Sequence, residues 1–175
     1  MKKTVADYIK TIPDFPKPGI LFRDVTSVLD NADGFQLSID EMANLLKDVD
    51  YDVRAGVESR GFLFGAPIAY KDHKPFALIR KKGKLPRDTV EESYDLEYGS
   101  ATIELHKDAI KPGDKVVIVD DLIATGGTVG AAAKLIERLG GEVVKMIFLI
   151  ELTDLKGRDN LKGYAVDSVV QYEGE

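Results

Sequence analysis

The chain has 175 residues, 44% of them hydrophobic and 31% charged, which suits one folded globular domain and excludes a disordered chain. Its net charge of −6 argues against a broad nucleic-acid-binding surface, and the absence of cysteine excludes disulfides, cysteine-ligated zinc and thiol catalysis. The longest apolar run, Met146 to Ile150, is too short to span a membrane. Thr4, Asp7 and Lys10 leave no signal-like apolar region after the basic start, so a cytoplasmic location is expected.

In chain order, Val5 to Ile12 reads as a short helix stopped by Pro13. Pro13, Pro16 and Pro18 then forbid regular structure, because each removes a donor and fixes φ. Ile20 to Val25 reads as extended. Asn31 or Asp33 can cap a helix whose apolar face holds Phe35, Ile39, Met42, Leu45 and Leu46. Val53 to Glu58 is a strand candidate, followed by Ser59-Arg60-Gly61 and a helix from Phe62 to Tyr70, interrupted by Pro67. Phe76 to Ile79 reads as the next strand and ends in Arg80-Lys81-Lys82-Gly83-Lys84, a basic cluster in an acidic chain. Leu85 to Glu92 reads as a mobile surface loop. The alternating runs Tyr94 to Tyr98 and Ala101 to Leu105, linked by Gly99-Ser100, signal a hairpin.

After a turn at Lys111 to Asp114 comes Val116-Val117-Ile118-Val119, a strand buried on both faces as in a parallel sheet. Asp120 and Asp121 follow it, and then the loop Ala124-Thr125-Gly126-Gly127-Thr128. The next helix places Val129, Ala132, Ala133, Ile136 and Leu139 at helical spacing and stops at Gly140-Gly141. Val143 to Leu152 is a further strand, Lys156 to Leu161 a helical turn, and Val166 to Val170 a last strand. Strands alternating with helices make the expected fold α/β, with a mostly parallel central sheet flanked by helices. His73 and His106 fit no ligand or catalytic spacing and are expected on the surface.

The chemistry gathers at the end of the Val116 strand, where open α/β sheets bind ligands. Glycines let backbone N–H groups converge, and a helix N-terminus adds partial positive charge, so Ala124 to Thr128 can cradle a monophosphate. The alternative is a tight turn with a threonine cap. The loop lacks the lysine of a Walker motif and the spacing of a dinucleotide fingerprint. Asp120 and Asp121 can accept hydrogen bonds from vicinal hydroxyls or bind Mg²⁺ through hard oxygens; one buried structural acid beside an exposed one is equally open.

Val116 to Thr128 resembles the phosphoribosylpyrophosphate (PRPP) signature of type I phosphoribosyltransferases. The segments Pro13 to Asp24, Glu58 to Phe62, Ile79 to Pro86, Ser93 to Gly99 and Ile150 to Gly157 are similar to those of the adenine phosphoribosyltransferases. The resemblance runs nearly end to end. It implies one phosphoribosyltransferase domain over 1–175, with a small hood over 1–30, a flexible catalytic loop and hairpin over 80–99, and the PRPP motif over 116–128. It also implies transfer of the phosphoribosyl group to adenine, giving AMP and pyrophosphate with Mg²⁺, in a cytoplasmic homodimer that uses neither nucleic acid nor membrane.

Residue by residue, the resemblance places the ribose hydroxyls on Asp120 and Asp121 and the 5-phosphate on Ala124, Thr125, Gly126, Gly127 and Thr128. Mg²⁺ would be held mainly by PRPP or pyrophosphate, with water-mediated contact to Asp120 or Asp121. Arg60, Arg80, Lys81 and Lys84 face pyrophosphate, and the counterpart of Arg80 can reach a neighbouring subunit's site. Glu97, beside Tyr98 on the loop, is the catalytic acid or base at the purine's imidazole side. Backbone at Leu21 and Arg23 reads adenine's N1 and N6 edge, between walls that include Phe22 and Leu152.

Without the resemblance, the basic cluster reads as a solvated surface run and Arg60 as a structural salt-bridge partner. Glu97 then reads as an outward strand residue, and Leu152 as core. Two other activities compete: a transferase for 6-oxopurines, and a nucleotide-sensing regulator that binds nucleic acid. The acidic charge and lack of a helix-turn-helix pattern weaken the regulator.

Overall fold

The computed structural model describes residues 1–96 and 98–174. Seven strands form the central sheet in the order β5-β6-β4-β3-β7-β8-β9. They are β3 (Val53–Val57), β4 (Phe76–Lys81), β5 (Thr89–Asp95), β6 (Ser100–His106), β7 (Lys115–Ile123), β8 (Glu142–Leu152) and β9 (Val166–Tyr172). Pairings from β4 through β9 are parallel, and β6 joins β4 and β5 antiparallel at one edge. This is the mostly parallel α/β sheet expected from the sequence.

The four apolar residues opening β7 explain its central place. Val116 and Ile118 face one core, under the helix α3 (Gly127–Arg138), while Val117 and Val119 face the other, under α1 (Ala32–Asn44) and α2 (Arg60–Asp72). All four are fully buried, and each such side chain contributes about 1.5–3 kcal/mol relative to exposure. In α3, Val129, Ala132, Ala133 and Ile136 are buried as the spacing predicts, and Ala131 and Leu135 join them, whereas Leu139 is only partly covered. Asn31 caps α1 by accepting from the Asp33 and Gly34 N–H groups at 2.9 and 3.0 Å, a contribution of about 1 kcal/mol.

Several expectations need correction. Val5 to Ile12 is not one helix: a 3-10 turn, Val5–Tyr8, gives way to β1 (Lys10–Pro13), which pairs antiparallel with β2 (Leu21–Asp24). Pro13 disfavours helical backbone at Ile12, and the edge strand supplies partners instead. The proline-rich turn between the strands is closed by Gly19 N–H donating to Asp14 Oδ1 at 2.8 Å.

Pro67 does not end its helix. α2 runs through it to Asp72, and the lost backbone bond is outweighed by Phe64 and Ile68, both fully buried on either side. Within the expected surface loop Leu85 to Glu92, the last residues belong to β5, which pairs with β6 from Thr89↔His106 to Asp95↔Ser100. The hairpin link therefore starts at Leu96 rather than being Gly99-Ser100, and the Leu96 N–H donates to Gly99 O at 2.9 Å. His106 is buried, not on the surface, because Arg87 meets both nitrogens of its ring, through its backbone N–H and its guanidinium. Its Nε2 accepts from the Arg87 N–H at 3.3 Å. Finally, β7 continues past the aspartates to Ile123, paired with β8 at Leu122↔Ile150.

Candidate active site

The carboxyl ends of β4, β3, β7 and β8 lie at one end of the sheet, and almost every residue singled out in the sequence sits there. β3 ends at Val57 while β7 runs on. The last β3 partner is Gly56, opposite Val119, so Asp121 lies past the end of β3, while β8 still pairs with Asp120 and Leu122 on the other side. That offset opens a crevice of three adjoining cavities.

The first, about 110 Å³, is lined by Asp120, Leu122 to Val129 and Phe148. It contains all five residues of the proposed phosphate loop. Gly126 has φ +85, and a Cβ there would lie 2.9 Å from Gly157 O, so only glycine makes this turn without strain. The N–H groups of the first turn of α3 have no intrahelical acceptors. With the helix dipole they favour an anion at this point.

The second cavity, about 260 Å³, is lined by residues from β3, α2, β4, the β5–β6 hairpin and β7, among them Glu58, Arg60, Lys81, Asp120, Asp121 and Thr128. Asp120 Oδ1 accepts from the Asp121 N–H at 2.8 Å. Burial, with the Asp121 carboxylate beside it, pushes the Asp120 carboxyl well above the usual range. Arg60 Nε stands 3.0 Å from Asp121 Oδ2, yet that buried oxygen receives no hydrogen bond among the described residues. The pair offers both charges to a ligand.

The cations divide. Arg60 and Lys81 line this cavity, whereas Arg80 and Lys84 do not; both reach Glu58 Oε2, at 3.3 and 3.0 Å. The Glu58 carboxylate also accepts from the Lys81 backbone N–H. Burial works against its charge, but the Lys81 N–H and the Lys84 and Arg80 side chains more than compensate, holding its carboxyl below the usual range.

The third cavity, about 220 Å³, is lined by Ile20 to Arg23, Arg60, Leu122, Leu152 and Gly174. Leu21, Phe22, Arg23 and Leu152 are thus brought together from β2 and the end of β8. Phe22 packs edge-on against Phe15, with ring centroids 5.1 Å apart. The Arg23 guanidinium lies over the Tyr172 ring at 4.2 Å and donates to Thr11 Oγ1 at 2.7 Å.

Leu122 borders all three cavities, Asp120 the first and second, and Arg60 the second and third. Sequence reasoning missed Leu122, although it lies inside the acidic motif, and missed Glu58, Tyr94 and Gly174. Only the sheet order could have found the last three. Tyr98 is 87% exposed in the hairpin link. Glu97, the expected catalytic residue, lies outside the described residues.

A helix start that favours anions, a pair of acids, neighbouring cations and an apolar slot at the carboxyl end of a parallel sheet suit group transfer from a phosphorylated substrate. The family model of the phosphoribosyl transferase domain matches residues 24–173. The chain belongs to the phosphoribosyltransferases, in the branch of the adenine phosphoribosyltransferases. It is 67% identical to the adenine phosphoribosyltransferase of Agathobacter rectalis, over 99% of both chains. The crystal structure of the adenine phosphoribosyltransferase from Thermoanaerobacter pseudethanolicus superposes with a TM-score of 0.92 at 51% identity, covering 96% of this chain and 98% of that one. The Saccharomyces cerevisiae enzyme, crystallised with an imino-altritol bisphosphate and adenine, gives a TM-score of 0.87 at 39% identity, covering 94% and 96%.

Proposed function

We propose that this protein transfers the 5-phosphoribosyl group of PRPP to N9 of adenine, releasing AMP and pyrophosphate in purine salvage. The observation that carries the reading is the sequence of cavities along β7: an anion cradle, a charged middle and an apolar slot, all bordering Leu122. That order matches phosphate, ribose with pyrophosphate, and base along one extended pair of substrates. The functional division of the single domain follows it, with 1–30 on the base side, 80–99 as the loop and hairpin, and 116–128 as the donor motif.

In this reading Ala124 to Thr128 hold the 5-phosphate, and Asp120 and Asp121 accept hydrogen bonds from the ribose hydroxyls. The raised Asp120 carboxyl gives up its proton more readily once cations and hydroxyl donors surround it. N9 forms a bond to ribose C1 as the bond from C1 to the pyrophosphate oxygen breaks, through an oxocarbenium-like state. The main demand is then electrostatic: cations must meet the leaving group. In this reading Arg60 and Lys81, which line the middle cavity, meet it directly, and Arg80 and Lys84 must first leave Glu58. Glu97 manages the proton on the imidazole side of the purine. The loop that begins at Lys82 excludes water, since hydrolysis of PRPP is the competing reaction.

Leu21 and Arg23 present backbone C=O and N–H groups to the N6 amine and N1, between the apolar walls of Phe22 and Leu152. A 6-oxopurine reverses that donor and acceptor pattern and leaves buried polar groups unpaired. Magnesium fits the donor set, because two adjacent carboxylates border the middle cavity and the buried Asp121 Oδ2 lacks a donor among the described residues. Asp120 or Asp121 would hold it through water, and the ion, bound mainly to the diphosphate, would neutralise the leaving charge. A cytoplasmic homodimer belongs to the same proposal. For the homodimer, the support is that Leu63 and Tyr70 of α2 and Leu78 of β4 are exposed apolar side chains.

Conversion of labelled adenine to AMP, dependent on both PRPP and magnesium, is the expected outcome in a direct assay. Equal or faster use of hypoxanthine would overturn the assignment to adenine.

A further inference from the structure

Behind the phosphate loop lies a platform that the reaction itself does not call for. Arg158 donates to both oxygens of the buried Glu151, from Nε and Nη2, at 2.8 Å each, and Ser168 Oγ donates to the same carboxylate at 2.7 Å. Arg158 Nη1 also donates to Val166 O at 2.8 Å. These bonds fix the short 3-10 turn Gly157–Asn160 against the ends of β8 and β9. Leu161, 2% exposed, plugs the core just after it. The turn then meets the loop by backbone contact: a Cβ on Gly157 would lie 2.5 Å from Ala124 O. From its last residue, Asn160 Nδ2 donates to Thr125 O at 2.7 Å.

We propose that Asn160 is a positioning residue for the phosphate loop, acting through the peptide that joins Thr125 to Gly126. In a planar trans peptide the C=O and N–H point in opposite directions. With the Thr125 carbonyl turned back toward Asn160, the Gly126 N–H is turned away from the platform and toward the side on which the anion cavity lies. Gly126 has no side chain to oppose rotation of that peptide, so an outside hydrogen bond must fix it. A carbonyl rotated into the cradle would repel a phosphate that the N–H attracts.

Asn160 therefore sharpens recognition of the 5-phosphate without touching it. The proposal rests on the reading of this loop as the 5-phosphate site. It assigns Asn160 no part in binding pyrophosphate, because among the described residues Asn160 does not line the middle cavity.

The test is calorimetric titration of the full chain with ribose 5-phosphate and, separately, with pyrophosphate and magnesium. Asn160→Ala should weaken ribose 5-phosphate by about fivefold, the effect of losing one exposed hydrogen bond. Pyrophosphate affinity and melting temperature should stay within twofold and about two degrees of wild type. Asn160→Asp, which cannot donate when ionised and sets a carboxylate against the Thr125 carbonyl, should weaken ribose 5-phosphate further. In turnover, KM for PRPP should rise more than kcat falls. Equal losses for the two ligands, or no loss for either, would overturn the role of Asn160. If wild type bound pyrophosphate but not ribose 5-phosphate, the reading of the loop would fail first and this inference with it.

Discussion

The two regions of the crevice proposed to bind anions are built by different means. At the proposed phosphate loop, the groups offered to a ligand belong to the main chain. Their geometry is set by the sheet register, by Gly126 at φ +85 and by the turn Gly157–Asn160 behind it. At the neighbouring basic cluster, the groups offered are side chains, held by ion pairs. Arg80 and Lys84 share Glu58, and Lys82 pairs with Glu91 at 3.1 Å. A 5-phosphate stays attached to the sugar throughout the proposed reaction, whereas pyrophosphate must be held and then released. Rigid backbone suits the first task. Exchangeable ion pairs, whose cationic ends reach solvent, suit the second.

The sharpest way to break this comparison is at Gly126. Gly126→Ala puts a side chain on left-handed backbone, costing about 1–3 kcal/mol, and drives a Cβ to 2.9 Å from Gly157 O. Ribose 5-phosphate affinity should fall about a hundredfold, with pyrophosphate affinity kept within a few-fold, both read by titration. If both ligands were lost together, the two regions would be one mechanical unit.

Asp120 lies where the regions join, and here function and stability should oppose one another. Its folded pKa is raised above the unfolded value by burial and by Asp121. The folded state therefore binds a proton more tightly than the unfolded chain does. Any stability this group contributes is fully present below the unfolded pKa and is lost as pH rises through the folded one. Asp120→Asn keeps the shape and removes the charge. Its melting temperature should exceed that of wild type at pH 8, and the gain should shrink steadily toward pH 4. Turnover should fall, since an amide accepts less well from two hydroxyls. A melting gain that did not vary with pH would mean that packing, not charge, sets the difference.

The legibility of these features in the sequence follows from where their information resides. The strand β7 and the helix α3 could be read because an unbroken apolar run and helical spacing are local patterns. The acids could be placed at a sheet edge for the same reason. Glu58 could not, because its three partners come from the far end of β4 and the loop beyond, brought near only by the β3–β4 pairing. Asn160 was equally hidden, thirty-five positions from Thr125 in the chain. His106 was misplaced on the surface since Arg87, which meets its ring, lies nineteen positions away in the chain. The substrate-side slot divided between β2 and Leu152 was legible only through resemblance to a family, as periodicity says nothing of what an apolar wall faces.

Glu58 gives the smallest and finest distinction. If its ion pairs compete with the ligand for Arg80 and Lys84, removing the charge should free both cations. Glu58→Gln should then tighten pyrophosphate by about two- to fivefold at low salt, leave ribose 5-phosphate unchanged, and lose its advantage at high salt as screening weakens every pair. The pH dependence has a definite sign. The carboxyl of Glu58 is held below its usual range, by the Lys81 N–H and the Lys84 and Arg80 side chains acting against burial. Its tether is therefore present above the unfolded carboxylate pKa and is lost as pH falls through the lower folded value. The variant's advantage should disappear in acid, where wild type also releases its cations. Weaker pyrophosphate binding by Glu58→Gln would mean the opposite, that Glu58 arranges the cations for the ligand and the basic region is as preorganised as the loop.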